Sequence, residues 1–437
     1  MSTASMSDLE DTDDSYGLSY GEEKPISDLQ VTDDWEITGE WLEKIFTKCY
    51  DQQVSVYDFV VSPGCNTNEC VLSEIIRVKG DYQLANSSEP TEFSIIVKQL
   101  PKDPFSRFFV TKGQFDLREI KFYTKVVPDL IKLQEKQLSE GKAKTELPVP
   151  SCIYGKYIPQ SGTDDSPIPS KSILVLEDLH SSNYRRAEFS KGLTLDQARL
   201  ALSAIARIHA HSLAMKVLGY EHLSRRYTFL FETEQASDSY QQLVERGLPQ
   251  LAQFLESRPG LETVLEALMA LRPKTKDIIA ALLAPEGPLA LITHTDFWCD
   301  NLLFKNDPTN PDCRILDWQM VTYSRPTNDI ALLLISSVPT DLRRNHTCHL
   351  LDTYWEALNN TSTDLGVSIK DLGYKREELD FDYRRSQLLA LLLCIGSVDV
   401  ALGDPLTEQR LLDVLQDLYN DGVLTDENVF ATSQEAN

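Results

Sequence analysis

Apolar positions recur along the chain at two spacings, and the change from one to the other near residue 179 divides it. Before that point, short apolar or alternating runs at Val54–Val61, Leu72–Val78, Glu92–Leu100, Ile153–Ile158 and Ser172–Glu177 predict strands. In the third run Phe93, Ile95 and Val97 share the core face, so Lys98 points the other way with Ser94 and Ile96. Helical spacing predicts a first helix over Trp35–Phe46, with Trp41, Leu42, Ile45 and Phe46 inward. It predicts a second from Gly113 onward, where Phe115, Glu119, Phe122 and Val126 share one face. Leu130–Glu146, which is charged, and Gln160–Lys171 read as loops.

After Leu179 the pattern is helical. Thr194-Leu195-Asp196-Gln197 is a capping-box start for a helix carrying Leu195, Ala198, Leu202, Ile205 and Ile208. Leu243–Phe254, Leu261–Leu283, Ile330–Val338 and segments near 341–359 and 383–400 read as further helices, with Asn328-Asp329 as the cap of Ile330–Val338. His209 and His211 read as structural, and Asp329 as a cap or a brace for the loop at 294–301.

Composition narrows the partners. The chain has 437 residues and a formal charge of −25. Twelve acidic residues in the first forty, against Lys24 alone, place much of that excess at the N-terminus. Such a balance argues against nucleic acid and against an anionic membrane surface. Residues 1–30 are too polar to offset the entropy of ordering and read as an acidic disordered tail. The expected organisation is a small lobe over 31–178, a larger helical lobe over 179–425, and a flexible end over 426–437. The eight cysteines form no C-x-x-C pair, which suits reduced thiols in the cytoplasm. The longest apolar runs, Ile330–Val338 and Leu388–Ile395, are too short to span a bilayer.

The candidate chemistry lies in His294-Thr295-Asp296-Phe297-Trp298-Cys299-Asp300-Asn301 and in Ile315-Leu316-Asp317-Trp318-Gln319. Two short β-prone pieces flank a turn-rich loop, so the stretch predicts a hairpin with Asn301 opening one strand and Asp317 closing the other. An amide oxygen and a carboxylate set side by side suit a hard cation such as magnesium. Asp296, at the same end, suits deprotonation of an attacking hydroxyl, and the spacing matches phosphoryl transfer. Two other readings stand beside this one: an acidic surface hairpin with no ligand, and a hydrolytic metal site from His294, Asp296, Cys299 and Asp300.

Glu119 lies within an apolar helical stripe, where an unpaired carboxylate is costly. Lys98 is its expected partner, and such a pair aims a lysine at nucleotide phosphates. The strand ending Leu174-Val175-Leu176-Glu177-Asp178-Leu179 suits a crossing between lobes, where backbone groups of Glu177 and Leu179 can pair with an adenine edge, or equally a core strand with a polar end. Ser62-Pro63-Gly64-Cys65-Asn66-Thr67-Asn68-Glu69 suits a turn over phosphates, or an ordinary hairpin turn.

Taken together, V-K at 97–98, E-x-x-F-Y at 119–123, L-V-L-E-D-L at 174–179, A-R-I-H-A at 206–210, H-T-D-F-W-C-D-N and I-L-D-W-Q resemble the ecdysteroid kinase-like family, which is similar to choline kinase and the aminoglycoside phosphotransferases. The likeness runs from about Trp35 to about Leu418. It departs at the glycine-poor loop around Gly64 and at Thr295, where the family commonly has glycine. The H-R-D and D-F-G signatures of protein kinases are missing. The resemblance implies a two-lobed α/β (α+β) protein-kinase-like fold, with a small antiparallel-sheet lobe and a larger helical lobe. It implies ATP and Mg2+ as cofactors, with Lys98, Glu119, Glu177, Leu179, Asn301 and Asp317 on the nucleotide, Asn301 and Asp317 on the metal, and Asp296 as catalytic base. The expected acceptor is a hydroxyl of a small molecule such as an ecdysteroid or other sterol-like or xenobiotic alcohol. A nucleotide-binding pseudokinase is the alternative, followed by a choline/ethanolamine kinase or a protein kinase. The oligomeric state is not legible.

Overall fold

The computed structural model describes residues 36–65, 72–137, 145–159, 161–163, 166–168, 170–219, 222–427 and 429. The acidic tail over 1–30, Trp35, Asn66–Glu69 of the turn after Gly64, and most of the final segment lie outside them.

Helix α1 (Gly39–Tyr50) buries Leu42, Ile45 and Phe46. The Phe46 ring meets Tyr82 and Phe93 at 5.4 and 5.0 Å, which seats α1 on the sheet. That sheet has the order β1-β2-β3-β7-β4 and is antiparallel throughout. Its strands are β1 (Val54–Pro63), β2 (Glu74–Leu84), β3 (Thr91–Gln99), β4 (Cys152–Ile158) and β7 (Lys171–Glu177). Alternation in β3 follows the sequence pattern: Ile95 and Val97 are buried in the core, and Lys98 faces a cavity between the lobes. The segment expected as a plain loop over 160–171 holds a small hairpin, β5 (Ser161–Thr163) and β6 (Ser166–Ile168).

Two helical expectations are corrected here. Helix α2 (Pro104–Gly113), capped by Asp103, precedes the predicted one. Periodicity does not flag it, because Val110 is its one buried residue and Phe105 and Phe108 are 79% and 62% exposed. After Gln114, in the left-handed region at φ 55°, comes α3 (Phe115–Lys121), then a π turn over Phe122–Val126, then α4 (Val127–Gln137). The loop expected from Leu130 is therefore helical to Gln137. Leu130 and Leu133 bury on one face, while Lys132, Glu135 and Lys136 carry the charge on the other.

The larger lobe is helical. Its long members are α5 (Leu195–Val217), α7 (Thr233–Glu256), α8 (Glu262–Leu271), α9 (Thr275–Leu283), α10 (Thr327–Ser337), α11 (Thr340–Asp364), α12 (Arg376–Gly396) and α14 (Pro405–Asn420), with short α6 (Leu223–Arg226) and α13 (Val398–Ala401) between. The α5 capping box forms as predicted: Gln197 N–H donates to Thr194 Oγ1 at 3.2 Å and Thr194 N–H to Gln197 Oε1 at 3.0 Å. Helix α10 is buried nearly all round, the reason its sequence reads as an apolar run. It starts at Thr327, so Asn328 and Asp329 sit inside its first turn and do not cap it. The expected helices stopped near residue 400, and α14 extends the lobe beyond them. Short strands β8 (Tyr184–Arg185), β9 (Leu291–Thr293), β10 (Leu302–Lys305), β11 (Cys313–Ile315) and β12 (Thr322–Ser324) carry the loops that face the sheet lobe. The architecture is thus two-lobed, a small antiparallel sheet beside a larger helical body. Among the described residues, no helix is long and apolar enough to cross a membrane.

Candidate active site

Strands β10 and β11 pair in the register Leu302↔Ile315 to Phe304↔Cys313. The hairpin is shorter than the sequence suggested. Asn301 precedes it in a 3-10 turn, and its carbonyl accepts from Leu316 N–H at 2.8 Å. Asp317 follows it in the left-handed region, at φ 62° and ψ 57°, a conformation aspartate tolerates better than most residues. Both side chains still emerge at the same end, and both line the cavity.

The loop holding Asp296 is fixed from below by Asp329, which is fully buried. Its carboxylate accepts from His294 N–H (2.8 Å), Thr295 N–H (2.7 Å) and His209 Nε2 (3.1 Å). Tyr354 O–H reaches the other ring nitrogen of His209 at 2.9 Å, so His209 props the brace. His211 bonds the Arg207 carbonyl at 2.7 Å, away from the cavity. Asp296 N–H donates to His294 Nδ1 (3.2 Å), which leaves the proton on Nε2 to donate to the Leu316 carbonyl (2.7 Å). Thr295 has φ 65°, an unfavourable angle for a β-branched residue. Glycine would sit there without strain. Thr295 is held by its bond to Asp329 and by Oγ1 contacts with Thr322 (2.6 Å) and Thr293 (3.2 Å).

Asn301 Nδ2 donates to the Asp296 carboxylate at 2.9 Å and to the Asp296 carbonyl at 2.8 Å. That fixes one carboxylate oxygen and leaves the other toward the cavity. Burial and the Asp317 and Asp329 charges, set against His294 and the Asn301 bond, push the Asp296 carboxyl up to about 6. A carboxyl there is ionised at neutral pH and has a raised proton affinity, which suits a base.

On the sheet side, Lys98 Nζ lies 2.7 Å from Glu119 and also contacts Asp317. Glu119 is 4% exposed. Burial raises its carboxyl and the Lys98 ammonium opposes that rise. Burial alone would lower Lys98, but the Asp317 and Glu119 charges outweigh it and hold Lys98 above its ordinary value. One cation is therefore shared by two carboxylates, one from α3 and one from the helical lobe.

The segment joining the lobes has uncommitted edges. Glu177 N–H donates to the Ser151 carbonyl at 3.0 Å, and Ser151 N–H donates to the Glu177 side chain at 2.8 Å rather than to its carbonyl. The Leu179 carbonyl accepts from Ser182 and Tyr184, whereas Leu179 N–H meets no protein acceptor among the described residues. An acceptor and a donor two residues apart thus line the cavity. Asp178 between them is tied back by Ser94 Oγ (2.7 Å), Arg77 Nε (2.9 Å) and His180 N–H (3.1 Å). Those bonds outweigh burial and hold its carboxyl well below the usual range.

All seven predicted site residues, Lys98, Glu119, Glu177, Leu179, Asp296, Asn301 and Asp317, line this one cavity of about 790 Å³. Of the phosphate-turn residues, Gly64 and Cys65 line it as well, and Gly64 N–H is bound to the Ile75 carbonyl at 2.8 Å. The donor set fits a hard cation. Asn301 Oδ1 accepts no bond among the described residues, and Asp317 adds carboxylate oxygens. The rival metal set does not assemble: both His294 nitrogens are engaged, Cys299 is fully buried, and the described residues hold no cluster of three metal-ligating His, Cys, Asp or Glu side chains.

Several residues at the site escaped the sequence. Arg77 reaches Asp178 from β2, past the intervening β3. Arg118 donates to the Gln319 carbonyl at 2.9 Å, and Trp318 stacks on Phe122 at 3.9 Å, so α3 is clamped to the chain just after Asp317. An arginine one position before Glu119 was the available signal. Arg410, on a helix that was not predicted, also lines the cavity.

The ecdysteroid kinase-like family matches residues 68–367. Comparison with curated proteins finds no match. Solved structures with a similar chain path include a Plasmodium vivax ethanolamine kinase, at 10% identity and TM-score 0.41, covering 84% of each chain. The choline kinase of Streptococcus pneumoniae follows at 14% identity and TM-score 0.36, covering 87% of this chain and 98% of that one. A microcompartment-associated aminopropanol kinase stands at 11% identity and TM-score 0.38, covering 84% and 94%.

Proposed function

The chain belongs to the ecdysteroid kinase-like family, and on that premise we propose that it transfers the γ-phosphoryl group of Mg-ATP to a hydroxyl of a small-molecule alcohol. The supporting observation is the convergence of Asp296, Asn301, Asp317 and the Lys98–Glu119 pair, drawn from both lobes, on one cavity. In this reading the Glu177 carbonyl and Leu179 N–H take the adenine edge. Lys98, aimed by Glu119, grips phosphate oxygens. Asn301 Oδ1 and the Asp317 carboxylate hold magnesium, which when bound neutralises charge on the phosphates. Asp296, oriented by Asn301, accepts the proton of the acceptor hydroxyl as the oxygen attacks.

The remainder of the cavity is largely apolar. Phe189, Trp298, Leu332, Ile335, Leu411 and Val414 line it. Such walls favour an apolar alcohol, sterol-like or xenobiotic, over choline or ethanolamine. The test is transfer of label from γ-labelled ATP to a pool of sterols, choline, ethanolamine and small alcohols, with Asp296→Ala as control. Labelled product from the wild type alone, identified by mass, is the expected result. Mg-ATP binding without label in any fraction would favour a nucleotide-binding protein without turnover.

A further inference from the structure

Five arginines are buried in the described chain: Arg118, Arg314, Arg325, Arg343 and Arg410. A buried guanidinium needs a counter-charge or a full set of acceptors. Arg314 has Glu146 and Asp312, Arg325 has Glu286, and Arg343 has Asp417. Arg118 makes no ion pair among the described residues, but it feels the charge of Asp116, two carbonyls and the rings of Phe115 and Phe231 surround it, and it does not line the cavity. Arg410 differs from all four. It is 6% exposed, lines the cavity, and pairs with no carboxylate among the described residues.

The surroundings of Arg410 fix its position without neutralising it. One N–H donates to the Phe189 carbonyl at 2.8 Å, and the guanidinium lies 4.8 Å from the Phe189 ring centroid. Nη1 fills the space left by Gly192, where a Cβ would approach to 2.6 Å. The nearby thiols of Cys299 and Cys394 are each pushed up to about 12 by burial and so bring no charge at neutral pH. Asp404 is close enough to be felt, but its Oδ1 accepts from Leu406 and Thr407 N–H at 2.9 and 3.1 Å as the cap of α14. A guanidinium has five N–H donors, and the described residues accept from one. Arg186 and Arg246, both exposed, also line this cavity, and neither pairs with an acid among the described residues. In a chain of charge −25, three arginines with no ion pair among the described residues thus line one cavity, which Asp300 and Asp399 line as well.

We propose that Arg410 recognises the acceptor, and that the acceptor is an amphipathic alcohol whose apolar body carries an oxyanion, such as a carboxylate or sulfate, apart from the hydroxyl that reacts. An oxyanion can take two donors of the planar guanidinium at once and supplies the missing counter-charge. Apolar side chains that line the same cavity as Arg410 and Asp296, Phe189, Trp298, Leu411 and Val414 among them, suit the body of such a molecule. The inference rests on the phosphotransfer reading for the reacting hydroxyl, but the anion site stands on Arg410 itself.

The test uses the full chain and two probes of equal length, a long-chain ω-hydroxy fatty acid and the matching α,ω-diol. Binding of each to wild type, Arg410→Met and Arg410→Lys is measured by titration calorimetry, and Mg-ATP binding is measured on the same samples. The wild type should bind the hydroxy acid about 10- to 100-fold more tightly than the diol. Arg410→Met should bind both equally, Arg410→Lys should keep part of the preference, and Mg-ATP affinity should not change. Failure of the wild type to favour the acid, binding of neither probe included, overturns the proposal. So does a preference that survives in Arg410→Met, or a fall in Mg-ATP affinity, which would assign the guanidinium to the nucleotide. Should Arg410→Met not fold, the wild-type comparison and Arg410→Lys still decide. A wild type that prefers the acid yet does not bind Mg-ATP keeps the anion site and removes the phosphotransfer reading; the opposite pair of results does the reverse.

Discussion

Asp296→Asn should make the protein more stable while removing the proposed phosphotransfer. The carboxyl of Asp296 stands at about 6 against an ordinary value of 3.8, and burial is the main cause. The folded state therefore holds that proton more tightly than the unfolded chain. Below about pH 3 the carboxyl is neutral in both states and contributes nothing. As pH rises through 4 to 6 the unfolded chain releases the proton first, so folding loses stability, and the loss is complete above about pH 7. A shift of roughly two units corresponds to about 3 kcal/mol at pH 8 and about half that at pH 5. Because Asp296 keeps a partial path to solvent through the cavity, the measured figure should fall within about 1–3 kcal/mol. Asparagine keeps the shape, still accepts from Asn301 Nδ2, and carries no charge. Urea denaturation of wild type and variant at pH 8 and pH 5 should show a gain at pH 8 that shrinks by about half at pH 5. Turnover should fall by roughly 100-fold or more, the usual contribution of a positioned base. A variant less stable than the wild type at pH 8, or a gain independent of pH, would refute the account of a carboxylate kept ionised against its surroundings.

Lys98→Met should cost about 3 kcal/mol, because it leaves Glu119 buried without its cation; adding Glu119→Gln should recover much of that loss in urea denaturation, and simple additivity would show that the pair is not coupled. Mg-ATP should raise the Tm of the wild type but not of Asp317→Asn, and equal shifts in both would remove Asp317 from the proposed metal site. Asp329→Asn should destabilise by about 2–4 kcal/mol, since an amide has one acceptor oxygen for donors that now reach two. Its kcat should fall while Mg-ATP affinity holds, and a loss of affinity alone would show that the brace serves the nucleotide side instead.

How far the chain could be read follows from the range of each signal. Local periodicity found the strands and the α3 face, and the buried position of Glu119 was legible because a carboxylate in an apolar stripe demands a cation. Helix α2 carried no inward stripe and left no such mark. The α4 helix was hidden by the charges on its outer face. The hairpin was placed within a residue or two. The left-handed turn at Asp317 that ends it has no sequence mark, because aspartate enters that region without needing glycine.

The sequence by itself determined the set of chemical groups, their order, and the strand and helix that bring Lys98 to Glu119, because alternation, helical spacing and the cost of a buried charge act over a few residues or between successive elements. Tertiary structure decided everything that depends on segments far apart in the chain. Lys98 meets Asp317 across 219 positions, Asp329 braces the loop of Asp296 with His209 behind it, and Arg410 arrives at the same cavity from the C-terminal helix. Whether a buried charge finds its partner is a property of the packed core, and for Arg410 the core leaves that partner to come from outside.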